Sequence, residues 1–274
     1  MWQFKLYYRV FLVWIALVCS VIAEIATPTP ISSPALTELS SIVHATPMRP
    51  EALFKPYRLY YTLHAHGIEF GEMSRELIVL SPQHYSLISI TQVTGLAAII
   101  RDDVVRETSL WRYHDGKIEP MFYEYHHQSS QNQRHLSISF NWGAYIAHHV
   151  FRNKNWNLRL PKTGQILDKQ LYQIALTADL VQNKSGERRY RVADGGGLKN
   201  YILNDLGNET ITTPWGELNT RKYSRRSAHK KNRWNYLWLA PTLSWLPVQM
   251  EFSDSISDRL LIKLQKADGI QLKQ

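Results

Sequence analysis

Apolar residues recur at every second position over most of the chain beyond residue 53, and this period limits the possible fold more than any other feature. In the segment 58–65, for example, Leu59, Tyr61, Leu63 and Ala65 fall on one face. Alternation of this kind is typical of a β-strand that is buried on one side only. The chain therefore contains a sheet with one apolar face that must be covered.

Segments of similar character follow one another to the end of the chain. They are 77–80, 85–93, 105–113, 117–125, 135–140, 147–152, 198–203, 209–213, 217–223, 233–239, 247–252 and 259–264. The dipeptide Asp115-Gly116 predicts a tight hairpin turn, and Asp194-Gly195 begins a glycine-rich turn. Consecutive strands joined by short turns predict an antiparallel meander.

A single segment has the period of a helix. In 167–181 the apolar residues share one helical face, and these are Leu167, Leu171, Ile174, Ala175, Ala178 and Val181. Asp168 is placed to cap the start of this helix. We therefore predict a mainly β fold: a strongly curved antiparallel sheet, forming a half-barrel or open barrel, with one amphipathic helix packed on its concave face.

The first residues have the pattern of a secretion signal. The uncharged run 10–23 is shorter than the roughly 20 apolar residues that span a bilayer, and Val21 and Ala23 fit a cleavage site for small residues. We predict an exported, periplasmic protein. Its segments are a signal peptide at 1–23, a Pro/Ser/Thr-rich linker at 24–52, the sheet domain at 53–268 and a tail at 269–274. The alternative is an uncleaved helix that anchors the chain in the inner membrane.

The charge of the chain is basic and clustered. Lys and Arg number 32 against 23 Asp and Glu, with concentrations in 188–191 and 221–233. Because an exported protein seldom meets nucleic acid, we predict no such partner, and anionic lipid headgroups at a membrane surface are expected instead. The residues predicted to contact such headgroups are Arg221, Arg225, Arg226, Lys230 and Arg233. A solvated face of cations is the alternative.

No segment carries a recognised catalytic or cofactor motif. Gly-x-Ser-x-Gly is absent, and the single cysteine, Cys19, leaves with the signal. Asp102 and Asp103 are neighbours on a strand and therefore face apart, and the eleven histidines do not define a ligand set for a metal. We predict a non-catalytic protein without metal or cofactor. A hydrolase of envelope polymers remains the alternative, since triads assemble from distant residues.

The concave face is the candidate binding surface for a lipid or the acyl chains of a lipoprotein. One helix of about fifteen residues is only ~22 Å long and is too short to cover a sheet of this size. The residues predicted to line an apolar cavity are Leu59, Tyr61, Leu63, Leu77, Val79, Leu171, Ile174 and Trp238. The alternative is a closed core in an envelope-assembly or structural protein without ligand.

Several blocks of sequence occur in an order that resembles a known family. They are YRLYYTLHAHGIEFGEMSREL, ETSLWRYHDGKIEPMFYEY, ILDKQLYQIALTADL, RYRVADGGGLKNYIL, TTPWGELNTRKY and LWLAPTLSWLPVQMEF. Together, over about 54–265, they resemble the exported bacterial family catalogued as domain of unknown function 3108. The resemblance implies an architecture similar to that of the periplasmic lipoprotein-carrier half-barrels, and it implies no catalytic residues.

Overall fold

The computed structural model describes residues 53–226, 234–253 and 259–270. The strands are β1 (Tyr57–Ala65), β2 (Ile68–Ser81), β3 (His84–Val93), β4 (Val104–His114), β5 (Lys117–Gln128), β6 (Gln133–Asn141), β7 (Ile146–Phe151), β8 (Lys154–Arg159), β9 (Ile166–Leu167), β10 (Arg188–Asp194), β11 (Gly197–Thr213), β12 (Gly216–Arg226), β13 (Trp234–Ala240), β14 (Leu246–Ser253) and β15 (Arg259–Asp268). One α-helix, α1 (Leu171–Val181), lies between β9 and β10. The predicted signal peptide and linker lie outside the described residues.

All of these strands belong to one sheet of 15 strands, in the order β8-β7-β6-β5-β4-β3-β2-β1-β15-β14-β13-β12-β11-β10-β9. Neighbouring strands are antiparallel, except that β9 pairs with β10 in parallel. Almost every pair therefore joins strands that are consecutive in the chain, as the meander predicts. The exception is β1, which pairs with β15 at the middle of the sheet. The mainly β, antiparallel fold class is confirmed.

The hairpin turns follow from residues that tolerate a left-handed backbone. Asp115 and Gly116 have φ angles of 49° and 74°, which suit a two-residue turn between β4 and β5. The turn between β10 and β11 contains Gly196, with φ of 103°. A Cβ atom at Gly196 would lie 3.1 Å from the Trp156 ring, so this position requires glycine for its backbone angle and is also closely packed.

The curvature of the sheet brings its two ends together through side chains. Trp156 on β8 donates from Nε1 to the carbonyl oxygen of Gly196 at 3.3 Å, and Ile166 on β9 packs in one cluster with Tyr123 and Tyr125 of β5. The edge strands β8 and β9 themselves form no ladder with each other. The sheet is therefore an open barrel whose gap is filled by side chains.

Helix α1 lies inside this curve, as predicted, but it begins four residues later than its apolar pattern. Residues 166–167 instead form β9. Asp168 Oδ1 accepts hydrogen bonds from the backbone N–H groups of Gln170 and Leu171 at 2.9 and 3.0 Å. Asp168 thus binds two backbone N–H groups at the start of the helix, although Gln170 and not Asp168 occupies the N-cap position. The helix is almost wholly buried, because the sheet surrounds it.

The apolar pattern does not predict strands β8, β9 and β10, and it divides β11 into two separate segments. Apolar alternation is weak in β8 and β9, and in β10 the charges of 188–191 obscure Tyr190 and Val192, which are buried. The segments 198–203 and 209–213 join in β11, where the register shifts between Asp205 and Asn208. No helix in the described ranges is both long and apolar enough to cross a membrane.

Candidate functional site

Half of the residues predicted to line a cavity are instead packed in a closed core. Leu59, Tyr61, Leu63 and Leu171 are at most 2% exposed, and they belong to one cluster that includes α1 and the central strands. The sheet covers its own apolar face by curling around the helix. The length of α1 therefore does not limit how much of the apolar face of the sheet is buried. The centre of the concave face therefore holds no open apolar groove.

Two of the predicted lining residues lie elsewhere. Val79 shares a strand face with Leu77 but lies near the end of β2, beyond the core, where it is 44% exposed. Trp238 is buried on the opposite face of the sheet, because it alternates with Leu237, and the Lys222 ammonium lies 4.5 Å from its ring. The prediction that these two residues line a concave cavity is wrong.

Two small cavities remain beside α1, and the first is polar. It has a volume of about 100 Å³ and lies between the start of α1 and the concave face of the sheet. The lining residues are Met73, Arg75, Ser89, Thr91, Glu107, Lys169, Gln170, Tyr172, Gln173, Tyr201, Arg225, Asn235, Met250, Phe252 and Ile262. We call this cavity the polar pocket.

Arg75 of β2 is buried in the wall of the polar pocket. Its Nε donates to Ser89 Oγ at 3.1 Å, and its Nη1 donates to Gln173 Oε1 at 2.5 Å. The Ser89 hydroxyl in turn donates to Gln170 Oε1 at 2.7 Å. Helix α1 and the residue before it thus hold the guanidinium with neutral acceptors, and no described carboxylate forms a salt bridge with it.

Arg225 of β12 enters the polar pocket from the other side. Its guanidinium carbon lies 3.9 Å from the centre of the Tyr201 ring, a stacking distance. With the Asn235 amide oriented to match its neighbours, the amide oxygen accepts from Arg225 Nη2 at 2.6 Å. Arg225 was predicted to contact a headgroup on the surface, and the structure places it inside the curve of the sheet.

Acidic groups lie beside and behind the polar pocket. Glu107 lines it and accepts from Tyr123 Oη at 2.5 Å. Burial raises the pKa of the neighbouring Asp168 carboxyl to about 7, even though backbone N–H groups bond to it. Asp194 accepts from Tyr201 Oη at 2.8 Å and from Lys199 Nζ at 3.0 Å.

Of the other residues predicted to contact headgroups, only Arg221 has a described side chain. Arg221 makes a two-pronged salt bridge with Asp205, at 2.7 Å for the shortest contact, and is therefore already neutralised. Arg226 belongs to β12, but its side chain is not described, and Lys230 and Arg233 lie outside the described residues. The headgroup prediction stays a prediction for Arg221 and for these three residues.

The pair of Asp205 with Arg221 predicts a defined pH dependence of stability. Burial opposes ionisation of Asp205, but hydrogen bonds from Arg221 and from backbone N–H groups outweigh it and lower the pKa from 3.8 to about 2. The stabilisation is thus complete above about pH 4 and is lost as pH falls towards 2. Urea unfolding should show Asp205→Asn less stable than the native protein at pH 6, with a difference that shrinks below pH 4.

The matched control for this prediction is Glu187→Gln. Glu187 pairs with Arg189 at 2.6 Å, but both side chains are largely exposed, so this variant should differ little from the native protein at any pH. A difference for Asp205→Asn that stays constant down to pH 2 would contradict the assigned role of the carboxylate.

The second cavity, which we call the apolar pocket, lies along the other side of α1. It also has a volume of about 100 Å³. The lining residues are Leu53, Phe54, Lys55, Tyr57, Leu77, Ile174, Thr177, Val181, Ser244, Leu246 and Ile270. Leu77 and Ile174 are thus the predicted residues that do line a cavity.

The two fully buried histidines of the described residues, His127 and His149, are packed within the sheet. His127 is fully buried, and its Nε2 is 2.7 Å from Asp103 Oδ1, while its Nδ1 has no hydrogen-bond partner. His149 is buried against Trp156, and desolvation lowers its pKa to about 4. Within the described ranges, no group of three or more His, Cys, Asp or Glu side chains is arranged to hold a metal ion.

The sequence contains a signal for Arg75. Arg75 lies between Met73 and Leu77 at the same strand period, so a charged residue occupies an inward-facing position. Gln170 and Gln173 gave no comparable signal, because polar residues at the start of a helix are ordinary. Their role depends on how far the sheet curls.

The fold is similar to that of solved structures at low sequence identity. A β-barrel-like protein of the family DUF1849 from Brucella abortus has a TM-score of 0.51 and 11% identity, covering 80% of this chain and 98% of its own. A "putative lipoprotein" from Parabacteroides distasonis has a TM-score of 0.34 and 12% identity, covering 79% and 96%. A "putative exported protein" with a YmcC-like fold from Bacteroides fragilis has 0.28 and 9%, covering 78% and 94%.

A comparison with curated proteins finds no match. The sequence profile of the family described as "Protein of unknown function (DUF3108)" matches residues 56–263. This range runs from the residue before β1 into β15 and so contains the polar pocket and the whole of α1, whereas Leu53, Phe54, Lys55 and Ile270 of the apolar pocket lie outside it. The chain therefore belongs to the DUF3108 family.

Proposed function

We propose that this protein is a non-catalytic, exported protein of the cell envelope that binds a lipid or another amphiphile beside α1. The observation that carries this proposal is the placement of a polar and an apolar pocket along one strand. Arg75 lines the polar pocket, and Leu77, two residues further on the same face of β2, lines the apolar pocket. This order matches a ligand with a polar head and an apolar chain.

The size of the pockets limits which part of such a ligand is enclosed. Each has a volume of about 100 Å³, less than the roughly 150 Å³ of a cavity that holds benzene. The polar pocket has room for a headgroup, and the apolar pocket has room for a few methylene groups. Export to the periplasm is supported by the signal-like pattern of residues 1–23.

A closed-core envelope-assembly or structural factor is the second candidate. It is favoured by the packing of Leu59, Leu63 and Leu171, which leaves no groove for a long acyl chain. Such a protein would carry no ligand and would act through a protein partner.

Native mass spectrometry and organic extraction of the full protein, purified from the envelope, separate the two candidates. We expect a co-purifying amphiphile, and we expect phospholipid to displace an apolar fluorescent probe from the native protein. Ile174→Trp should reduce both signals, because the larger ring fills the apolar pocket. The matched control is Ile99→Trp, since Ile99 is 81% exposed.

Absence of any co-purifying amphiphile, together with no displacement of the probe by phospholipid, would overturn the binding proposal in favour of the closed-core factor. The displacement measurement uses the native protein and so does not depend on whether Ile174→Trp folds.

A further inference from the structure

The polar pocket is formed by cationic residues that come from distant parts of the sheet. Arg75 is on β2 and Arg225 is on β12, with four strands between them, β1, β15, β14 and β13. The curvature of the sheet brings both guanidinium groups to one cavity. Convergence of two arginines is costly, since like charges repel and each must shed water.

Arg75 is desolvated, although no described carboxylate forms a salt bridge with it. The residue is only 7% exposed, and buried arginines are rare unless they are paired. Its partners Ser89 and Gln173 are neutral, and no hydrogen bond to a described residue uses Nη2. A buried guanidinium with free donor capacity at a cavity is suited to an oxygen ligand that carries negative charge.

Arg225, like Arg75, is held by neutral groups. Stacking on Tyr201 fixes the plane of the guanidinium, the Tyr172 ring lies 5.8 Å from the guanidinium carbon, and the amide of Asn235 is a neutral acceptor. A stacked guanidinium keeps its in-plane N–H groups available, and these match the oxygens of a phosphate or carboxylate. Asp194 influences Arg225 by charge but forms no salt bridge with it.

The charged groups lining the polar pocket favour an anion. Arg75, Lys169 and Arg225 are cationic, whereas Glu107 is the only acidic lining residue. Glu107 accepts a hydrogen bond from Tyr123, which stabilises its own charge. Asp194 lies behind the wall of the polar pocket, and the positive charge of Lys169 lowers the pKa of Asp194. The charge of Lys169 is therefore shared between Asp194 and the pocket. The two arginines are therefore the groups left to bind a ligand.

We propose that the polar pocket binds a small oxyanion, a phosphate or carboxylate group, through Arg75 and Arg225. This inference deepens the proposed function and rests on it for the site, but it does not require an apolar chain. The oxyanion is either free or the headgroup of an amphiphile. The volume of about 100 Å³ suits a group of this size.

The test is calorimetric titration of the full protein with three probes: inorganic phosphate, dioctanoyl phosphatidic acid and dioctanoylglycerol. We expect one or both of the phosphate-bearing probes to bind. Arg225→Gln should weaken this binding about tenfold or more, because it removes charge-assisted hydrogen bonds. The control Arg58→Gln should leave it unchanged, since Arg58 is half exposed and pairs with Glu76 on the surface.

The probes also identify the source of the oxyanion. Binding of inorganic phosphate indicates a free anion, whereas binding of phosphatidic acid alone indicates a headgroup. If Arg225→Gln does not fold, Arg225→Lys and Arg75→Lys, which keep the positive charge but lose the planar fork, should still weaken binding relative to Arg58→Gln.

Two results would overturn the proposal: no binding of either phosphate-bearing probe, or equal binding by Arg225→Gln and Arg58→Gln. Failure of the anion proposal is distinguishable from failure of the binding function. If dioctanoylglycerol binds as tightly as phosphatidic acid, and Arg225→Gln retains both, amphiphile binding stands and recognition of the anion does not. If no probe binds and nothing co-purifies, both proposals fail.

Discussion

Replacing Leu59 with alanine is expected to lower the free energy of unfolding by about 3 to 5 kcal/mol. Leu59 is 0% exposed and lies in β1, between β2 and β15. Its methyl groups belong to the core cluster that encloses α1, so alanine leaves a cavity that rigid strands cannot close. Urea unfolding monitored by tryptophan fluorescence measures the loss.

The matched control is Leu96→Ala, at a residue that is 83% exposed in the turn between β3 and β4. This variant should differ from the native protein by less than about 0.5 kcal/mol. The pair of variants also bears on the closed core, because a leucine lining an open groove would lose little on truncation. A loss below about 1 kcal/mol at Leu59 would show that this part of the concave face is not tightly packed.

Replacing Asp103 with alanine is expected to lower the free energy of unfolding by about 3 to 5 kcal/mol, because it leaves a buried partner group uncompensated. The Asp103 side chain is 1% exposed. Its Oδ1 is 2.7 Å from His127 Nε2, and its Oδ2 accepts from Arg101 Nε at 2.7 Å. In this variant the fully buried His127 would lose its hydrogen bond to Asp103, and it has no other hydrogen-bond partner.

The effect should depend on pH in a defined direction. Burial raises the pKa of Asp103, but hydrogen bonds from His127 and Arg101 outweigh burial and bring the pKa below its usual 3.8. The stabilisation is therefore present above about pH 4 and lost at lower pH, so native protein and Asp103→Ala should converge in acid. The control is Asp268→Ala, whose pair with Lys266 is exposed and worth less than about 1 kcal/mol. Similar losses at both positions would contradict the assigned pair.

The sequence predicted the class of fold because strand period and turn residues are local. The Asp115-Gly116 turn and the helix that follows Asp168 were both identified from neighbouring residues alone. The pairing of β1 with β15 was not predictable in this manner, since it joins the two ends of the domain. Local pattern thus determines the elements, whereas the closure of the sheet depends on distant contacts.

The binding site was predictable only in part, for the same reason. Leu77 and Ile174 line a cavity as expected, but Trp238 faces the opposite side, in a strand whose register shifts between Trp238 and Leu239. Arg225 was identified as a contact for an anion from its place in a basic run, yet its position in the polar pocket depends on curvature. No local sequence pattern indicates that Arg75 lies in the same pocket as Arg225.

The pairing of the first strand with the last has a consequence for biogenesis. Thr62 and Gln265, hydrogen-bonded across this seam, are 203 residues apart in the chain. Strands β1 to β8 can pair locally as they are made, but one edge of β1 stays unpaired until β15 is available. An unpaired edge is a template for pairing with other chains. A chain that is stalled or cut before residue 259 would therefore expose the edge of β1 that lies in the middle of the sheet in the complete protein.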